Sequence, residues 1–100
     1  MIMRITWGKL HPGKWDEFER TYKEAVAAHG KQIKGLLGRW LSRNSADPDS
    51  GFAVSMWANM NDLRDYEQSE PYKNISSRLQ PFFIGEYNTY RSEIRYSENL

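Results

Sequence analysis

One hundred residues with 39% apolar side chains, a formal net charge of +1 and no cysteine describe one small domain in which neither disulfides nor thiol chemistry take part. So small a net charge gives no electrostatic case for nucleic acid or for an anionic membrane, and no apolar run approaches the ~20 residues that would span a bilayer. The mean hydropathy of −0.81 is polar, yet 14% of the residues are aromatic, so apolar surface is concentrated in a few large side chains.

A chain of this size buries roughly two thirds of the surface its unfolded form exposes, and an apolar minority dominated by rings predicts help from a second copy: a homodimer. The first residues, MIMRITWG, lack the apolar core of a signal peptide, and the expected location is cytoplasmic.

From Met1 to Leu10, Met3, Ile5 and Trp7 alternate with Arg4, Thr6 and Gly8, which predicts a strand with unlike faces. His11-Pro12-Gly13 breaks it. From Lys14 to His29 the residues Trp15, Phe18, Tyr22, Ala25 and Val26 recur at helical spacing, with Glu17, Arg20, Lys23 and Glu24 turned outward. Gly30 suits the left-handed position after that helix, and His29 would act as a capping charge in its last turn.

Leu36 to Arg43 is a second strand, and Asn44 to Gly51 is a run of turn formers without an apolar anchor, expected to be a mobile hairpin loop. A third strand, Phe52 to Trp57, leads into a helix beginning near Asp62, with Asn59 or Asn61 as its cap. Ser69 caps a second helix two residues before Pro71, because proline is tolerated in a first turn where its missing amide proton has no partner. That helix carries Tyr72, Ile75, Leu79 and Phe82 or Phe83 on one face and ends at Pro81. Glu86 to Tyr96 alternates again and reads as a long final strand.

Strand, helix, strand, strand, helix, strand is the order of the α+β ferredoxin-like βαββαβ fold, an antiparallel sheet with strands one and three central and helices on one face only. Met3, Ile5 and Trp7 would then load the uncovered face with more apolar area than water tolerates, so two sheets are expected face to face as a dimeric α+β barrel.

Three segments together carry a family resemblance: PGKWDEF at 12–18, GRWLSR followed by DPDSGFAVSMW within 38–57, and NDLRDYEQSEPY at 61–72. In their order and spacing they resemble the antibiotic biosynthesis monooxygenase domain, over about residues 1–96 of a single domain spanning 1–100. The resemblance implies a homodimer with one cavity per protomer, between the central strands and the second helical region. It also implies a monooxygenase without cofactor or metal that oxidises an aromatic or polyketide-like phenol to a quinone. Such an enzyme leaves the redox chemistry to the substrate and supplies orientation, a dry pocket and donors for the developing anion.

By this resemblance the candidate substrate-binding residues are Thr6, Trp57, Tyr66, Tyr72 and Arg78, around a small aromatic molecule. The asparagine that relatives carry before the third-strand tryptophan is absent, with Ala53 and Ser55 on that face. Haem-degrading relatives use a first-strand asparagine and a second-helix histidine; here the first position is Thr6 and no histidine lies between Asn59 and Phe83, which disfavours haem. The alternative is a non-catalytic dimeric protein of the same fold that binds a small apolar ligand. Each candidate also has a structural role open to it: Trp57 as core, Tyr66 and Tyr72 as members of an apolar stripe, Arg39 and Arg78 as surface groups, and His11 as a loop residue.

Overall fold

The computed structural model describes residues 1–28 and 32–99. His29 and Gly30, read as a capping charge and a left-handed helix stop, lie outside the described residues. The elements are β1 (Ile2–Lys9), α1 (Trp15–Ala27), β2 (Leu36–Arg43), β3 (Ser50–Trp57), α2 (Met60–Glu67), α3 (Glu70–Leu79) and β4 (Asn88–Glu93), with one 3-10 turn at Gln80–Phe82. The sheet is antiparallel throughout, in the order β2-β3-β1-β4, so the two central strands, β1 and β3, are the ones the order of elements places there. This is the α+β ferredoxin-like fold.

Local chemistry accounts for the element boundaries. Asn59 caps α2 by accepting from the Asp62 amide at 2.8 Å, and Ser69 caps α3 by accepting from the Tyr72 amide at 3.4 Å. Pro71 occupies the first turn of α3, where no backbone bond is lost. Leu36 pairs with Trp57 and Gly38 with Met56, so Leu37 is an extra residue in β2, a bulge that leaves its side chain exposed.

Two expectations need correction. The last strand is shorter than the alternation suggests, because its pairing with β1 spans Asn88 to Glu93 and β1 itself begins at Ile2, opposite Glu93. The hairpin loop before β3 is held by polar contacts where apolar ones are missing. Asn44 Oδ1 accepts from the Ala46 amide at 2.9 Å, Asp47 Oδ1 from the Asp49 amide at 3.0 Å, and the Leu10 amide reaches the Asp49 carbonyl at 2.7 Å. Lys9 Nζ closes on Asp47 at 2.6 Å, and Ser50 is fully buried. The physical reason is that side-chain oxygens of Asn and Asp form local turns without needing a hydrophobic anchor.

The core lies on the helical side of the sheet. Trp15, Phe18 and Ala25 of α1 pack with Ile75 and Leu79 of α3 over Leu10. Phe18 meets Phe82 and Phe83 edge-on, with ring centres 5.7 and 5.6 Å apart. Two strand glycines make room for these rings. A β-carbon at Gly51 would stand 2.8 Å from the Trp15 ring, and one at Gly8 would overlap the ring of Phe83. Replacing Gly8 by alanine should therefore destabilise the fold by about 1–3 kcal/mol through overpacking. Urea unfolding of Gly8→Ala beside the double variant Gly8→Ala/Phe83→Leu checks this, since the second change should return part of the loss.

Candidate functional site

The strand register decides which side chains meet the helices. Residues directly opposite one another share a face, so Arg39, Ser55, Arg4 and Arg91 form one row across β2, β3, β1 and β4. The next row holds Leu41, Ala53, Thr6 and Thr89. Arg4, Thr6, Gly8 and Leu10 border a cavity of about 100 Å³ between the sheet and the helices, many times the roughly 10–15 Å³ that one water requires. Trp15, Phe18 and Tyr22 bound it from α1, Tyr66 from α2, and Tyr72, Ile75 and Leu79 from α3. The first helix thus contributes a whole wall that the family resemblance did not lead one to expect.

Of the candidates drawn from the sequence, Thr6, Tyr66 and Tyr72 border the cavity. Trp57 stands behind it. Its side chain is wholly buried, its ring lies 5.0 Å from that of Tyr66, and its Nε1 donates to Ser55 Oγ at 2.8 Å. Ser55 itself reaches the cavity, so the indole supports the wall through the hydroxyl and the phenol ring in front of it. Arg78 is not among the cavity residues and faces Glu24 across the α1–α3 surface at 3.6 Å.

Sequence reasoning misses most of the cavity lining, including the polar residues Arg4, Tyr22, Arg39, Ser55, Ser76 and Tyr87. Alternation along β1 already puts Arg4 on the side of Thr6 and Gly8. A cation on the covered face of a central strand is the signal that could have found it, because an interior charge must have a partner or a ligand.

Arg4 is the centre of a polar network. Its Nε donates to Glu67 Oε2 at 2.8 Å, its Nη2 to the Tyr72 hydroxyl at 2.6 Å and its Nη1 to Thr6 Oγ1 at 3.3 Å. Thr6 Oγ1 in turn lies 2.9 Å from Thr89 Oγ1. Arg91 donates to the same carboxylate, its Nε lying 3.0 Å from Glu67 Oε1. Arg39 takes a different position. Its guanidinium sits 5.9 Å above the Tyr66 ring, and among the described residues no carboxylate approaches within ion-pair distance.

Electrostatics follow from these placements. Burial makes the largest contribution to Glu67 and raises its carboxyl, but bonds from Arg91 and Arg4 together outweigh it and leave the group below its ordinary value. The Tyr66 phenol is pushed up by burial, with Arg39 only partly offsetting it, and the Tyr22 phenol is likewise raised by burial. Both are therefore neutral donors in this pocket at pH 7. Among the described residues no group of three His, Asp or Glu side chains could hold a metal ion.

The model of the antibiotic biosynthesis monooxygenase family matches residues 1–78. The chain belongs to that family. Among solved structures the fold is similar to SnoaB, a cofactor-independent oxygenase from Streptomyces nogalater, at 14% identity and a TM-score of 0.81, over 96% of this chain and 94% of that one. It is also similar to a Caulobacter crescentus CB15 protein given the same family name, at 19% identity and a TM-score of 0.83, over 95% and 90%. A conserved protein from Methanosarcina mazei Go1 aligns at 18% identity and a TM-score of 0.80, over 91% and 89%. No curated protein matches the chain. No helix among the described residues is long and apolar enough to cross a membrane.

The depressed Glu67 carboxyl makes a stability prediction with a definite sign. A carboxyl lowered in the folded state contributes stability that is present above its unfolded value of about 4.3 and is lost as pH falls through the lower folded value. Glu67→Gln should cost about 1–3 kcal/mol at pH 7, because Arg4 and Arg91 then oppose each other without their shared anion. Urea unfolding at pH 7 and at pH 3 should show the gap between wild type and variant narrowing at the lower pH.

Proposed function

We propose that this family member is a cofactor-independent monooxygenase that oxidises an aromatic or polyketide-like phenol to a quinone, acting as a homodimer. The observation that carries the reading is the cavity, walled by aromatic rings and supplied with neutral phenol donors at Tyr66 and Tyr22 beside the cations Arg4 and Arg39. An electron-rich ring stacks on such walls, and an ionised phenol oxygen meets donors already oriented for negative charge.

The reaction balances without an outside reductant when an anthrone-type methylene becomes a carbonyl. The carbon loses two hydrogens and gains one oxygen atom from dioxygen, the other oxygen leaves as water, and all four electrons come from the substrate. The protein's part is to hold the ring, exclude bulk water and stabilise the anion from which oxygen takes its first electron. In this reading Tyr66 and Tyr72 contact the guest and Trp57 supports Tyr66 from behind, which agrees with the ring contacts of Trp57 with Tyr66 and of Tyr66 with Tyr72.

The homodimer has support from the uncovered sheet face. Ile5, Trp7 and Met56 lie there with Trp40, Phe52 and Tyr90, which are 51%, 38% and 60% exposed, a cluster of exposed apolar side chains of the kind that marks a contact. A mass near twice 11.8 kDa is expected by sedimentation at micromolar concentration, and Trp40→Glu should shift the population to monomer.

One feature favours the second reading, a non-catalytic binder of small apolar ligands: Phe83 covers Gly8 at one end of the cavity and narrows it. Oxygen uptake with a panel of dihydroxynaphthalenes and anthrones separates the two. Turnover of at least one compound without added reductant is expected, with kcat/KM lowered on the order of 10²-fold in Tyr66→Phe if its hydroxyl stabilises the anion. No turnover of any member, together with unchanged ligand affinity in Trp57→Phe, would leave only the binder.

A further inference from the structure

The row Arg39, Ser55, Arg4, Arg91 places three guanidinium groups on the covered face of one sheet. Glu67 is the carboxylate that answers them, and it is shared by Arg4 and Arg91. Among the described residues the row and its partner therefore carry an excess of two positive charges, and no aspartate or glutamate borders the cavity. A chain with a net charge of only +1 has spent its carboxylates elsewhere.

Among the described residues, Arg39 is the cation of this row that has no carboxylate partner. Packing over the Tyr66 ring satisfies one face of its guanidinium and the Tyr66 phenol oxygen engages part of its edge, and among the described residues no carboxylate takes the remaining N–H groups, which suit a planar acceptor. Ser55 stands next to it in the row. Its oxygen already accepts from Trp57 Nε1, so its own proton remains available to the cavity. The Tyr72 hydroxyl, accepting from Arg4 Nη2, is in the same condition. Donors thus outnumber acceptors along this wall, which is the arrangement that receives an anion.

We propose that the cavity selects aromatic compounds bearing a carboxylate, the ring lying against Tyr66 and Tyr72 and the carboxylate on Arg39 and Ser55. The inference deepens the oxygenase reading by naming a substrate class, and it rests on the same cavity. A carboxylate accepts both N–H groups of a guanidinium at once, and partial removal from water strengthens that bond relative to an exposed pair. A neutral phenol would leave the excess charge of the row unanswered.

The test is equilibrium binding, which needs no turnover. Calorimetry with 4-hydroxybenzoate and its neutral counterpart 4-hydroxybenzamide should show the acid bound about tenfold or more tightly at low salt, with the preference shrinking as salt is raised. Arg39→Gln, checked for wild-type melting, should abolish the preference and leave the amide affinity within about threefold, while Arg39→Lys restores part of it. Equal affinity for acid and amide in the wild-type protein would overturn the proposal without recourse to any variant. So would a preference that survives Arg39→Gln, or failure of both compounds to bind. Turnover of neutral naphthols with no acid preference would sink this inference and leave the oxygenase standing; acid-selective binding with no oxygen uptake by any phenol or aromatic acid would do the reverse.

Discussion

Glu67, in the last turn of α2, reaches down to the sheet and takes bonds from Arg4 on β1 and Arg91 on β4. Those two arginines sit directly opposite each other in the pairing, a placement that costs stability between like charges unless something negative lies between them. The carboxylate resolves that conflict and, in doing so, pins the end of α2 to the two strands. Both its side chain and that of Arg4 are largely hidden, at 14% and 12% exposure, so the attraction is screened far less than at an open surface. Tyr66 is the residue before this anchor and Tyr72 accepts from Arg4, so the two phenols that border the cavity from the second helical region inherit their positions from one ion cluster.

The cavity exists because strands and helices are kept apart at some points and allowed together at others. Gly8 and Gly51 lack the side chains that would collide with Phe83 and Trp15, and the rings close in there. In the next two rows Thr6 and Arg4 present polar atoms that are already bonded to one another and do not collapse onto the helices. Close packing along the Gly8–Gly51 row with a polar floor beside it leaves a space that hydrophobic collapse alone would fill.

Element order, strand pairing and the Ser69 cap were legible in the residues, and the cap of α2 was narrowed to Asn59 or Asn61, of which the structure uses Asn59. Period-two alternation in β1 and the Asn59 and Ser69 caps are local signals that tertiary structure had no reason to override. The site was legible only in part. Thr6, Tyr66 and Tyr72 sit on faces that periodicity identifies, but Arg39 reads as a surface group because nothing in β2 alone says that the neighbouring row holds Arg4. That information is in the register of three strands, which becomes fixed only when the whole sheet forms. The hairpin loop was misjudged for a related reason: its anchors are oxygens of Asn44, Asp47 and Asp49, and hydropathy counts them as solvent-seeking when here they close turns.

Net charge is a poor guide to what such a small chain will bind. Its acidic residues are spread over helix exteriors and the hairpin, where pairs such as Lys23 with Glu19 and Lys14 with Glu17 are exposed and contribute little. The covered face of the sheet has the opposite balance, with arginines on three strands and one carboxylate above them. A near-neutral total thus conceals a local asymmetry inside the fold, at a place where water is partly excluded and charge is screened less than at the surface. The solvent-facing charges that cancel this interior difference in the sum have no means of cancelling it in the cavity.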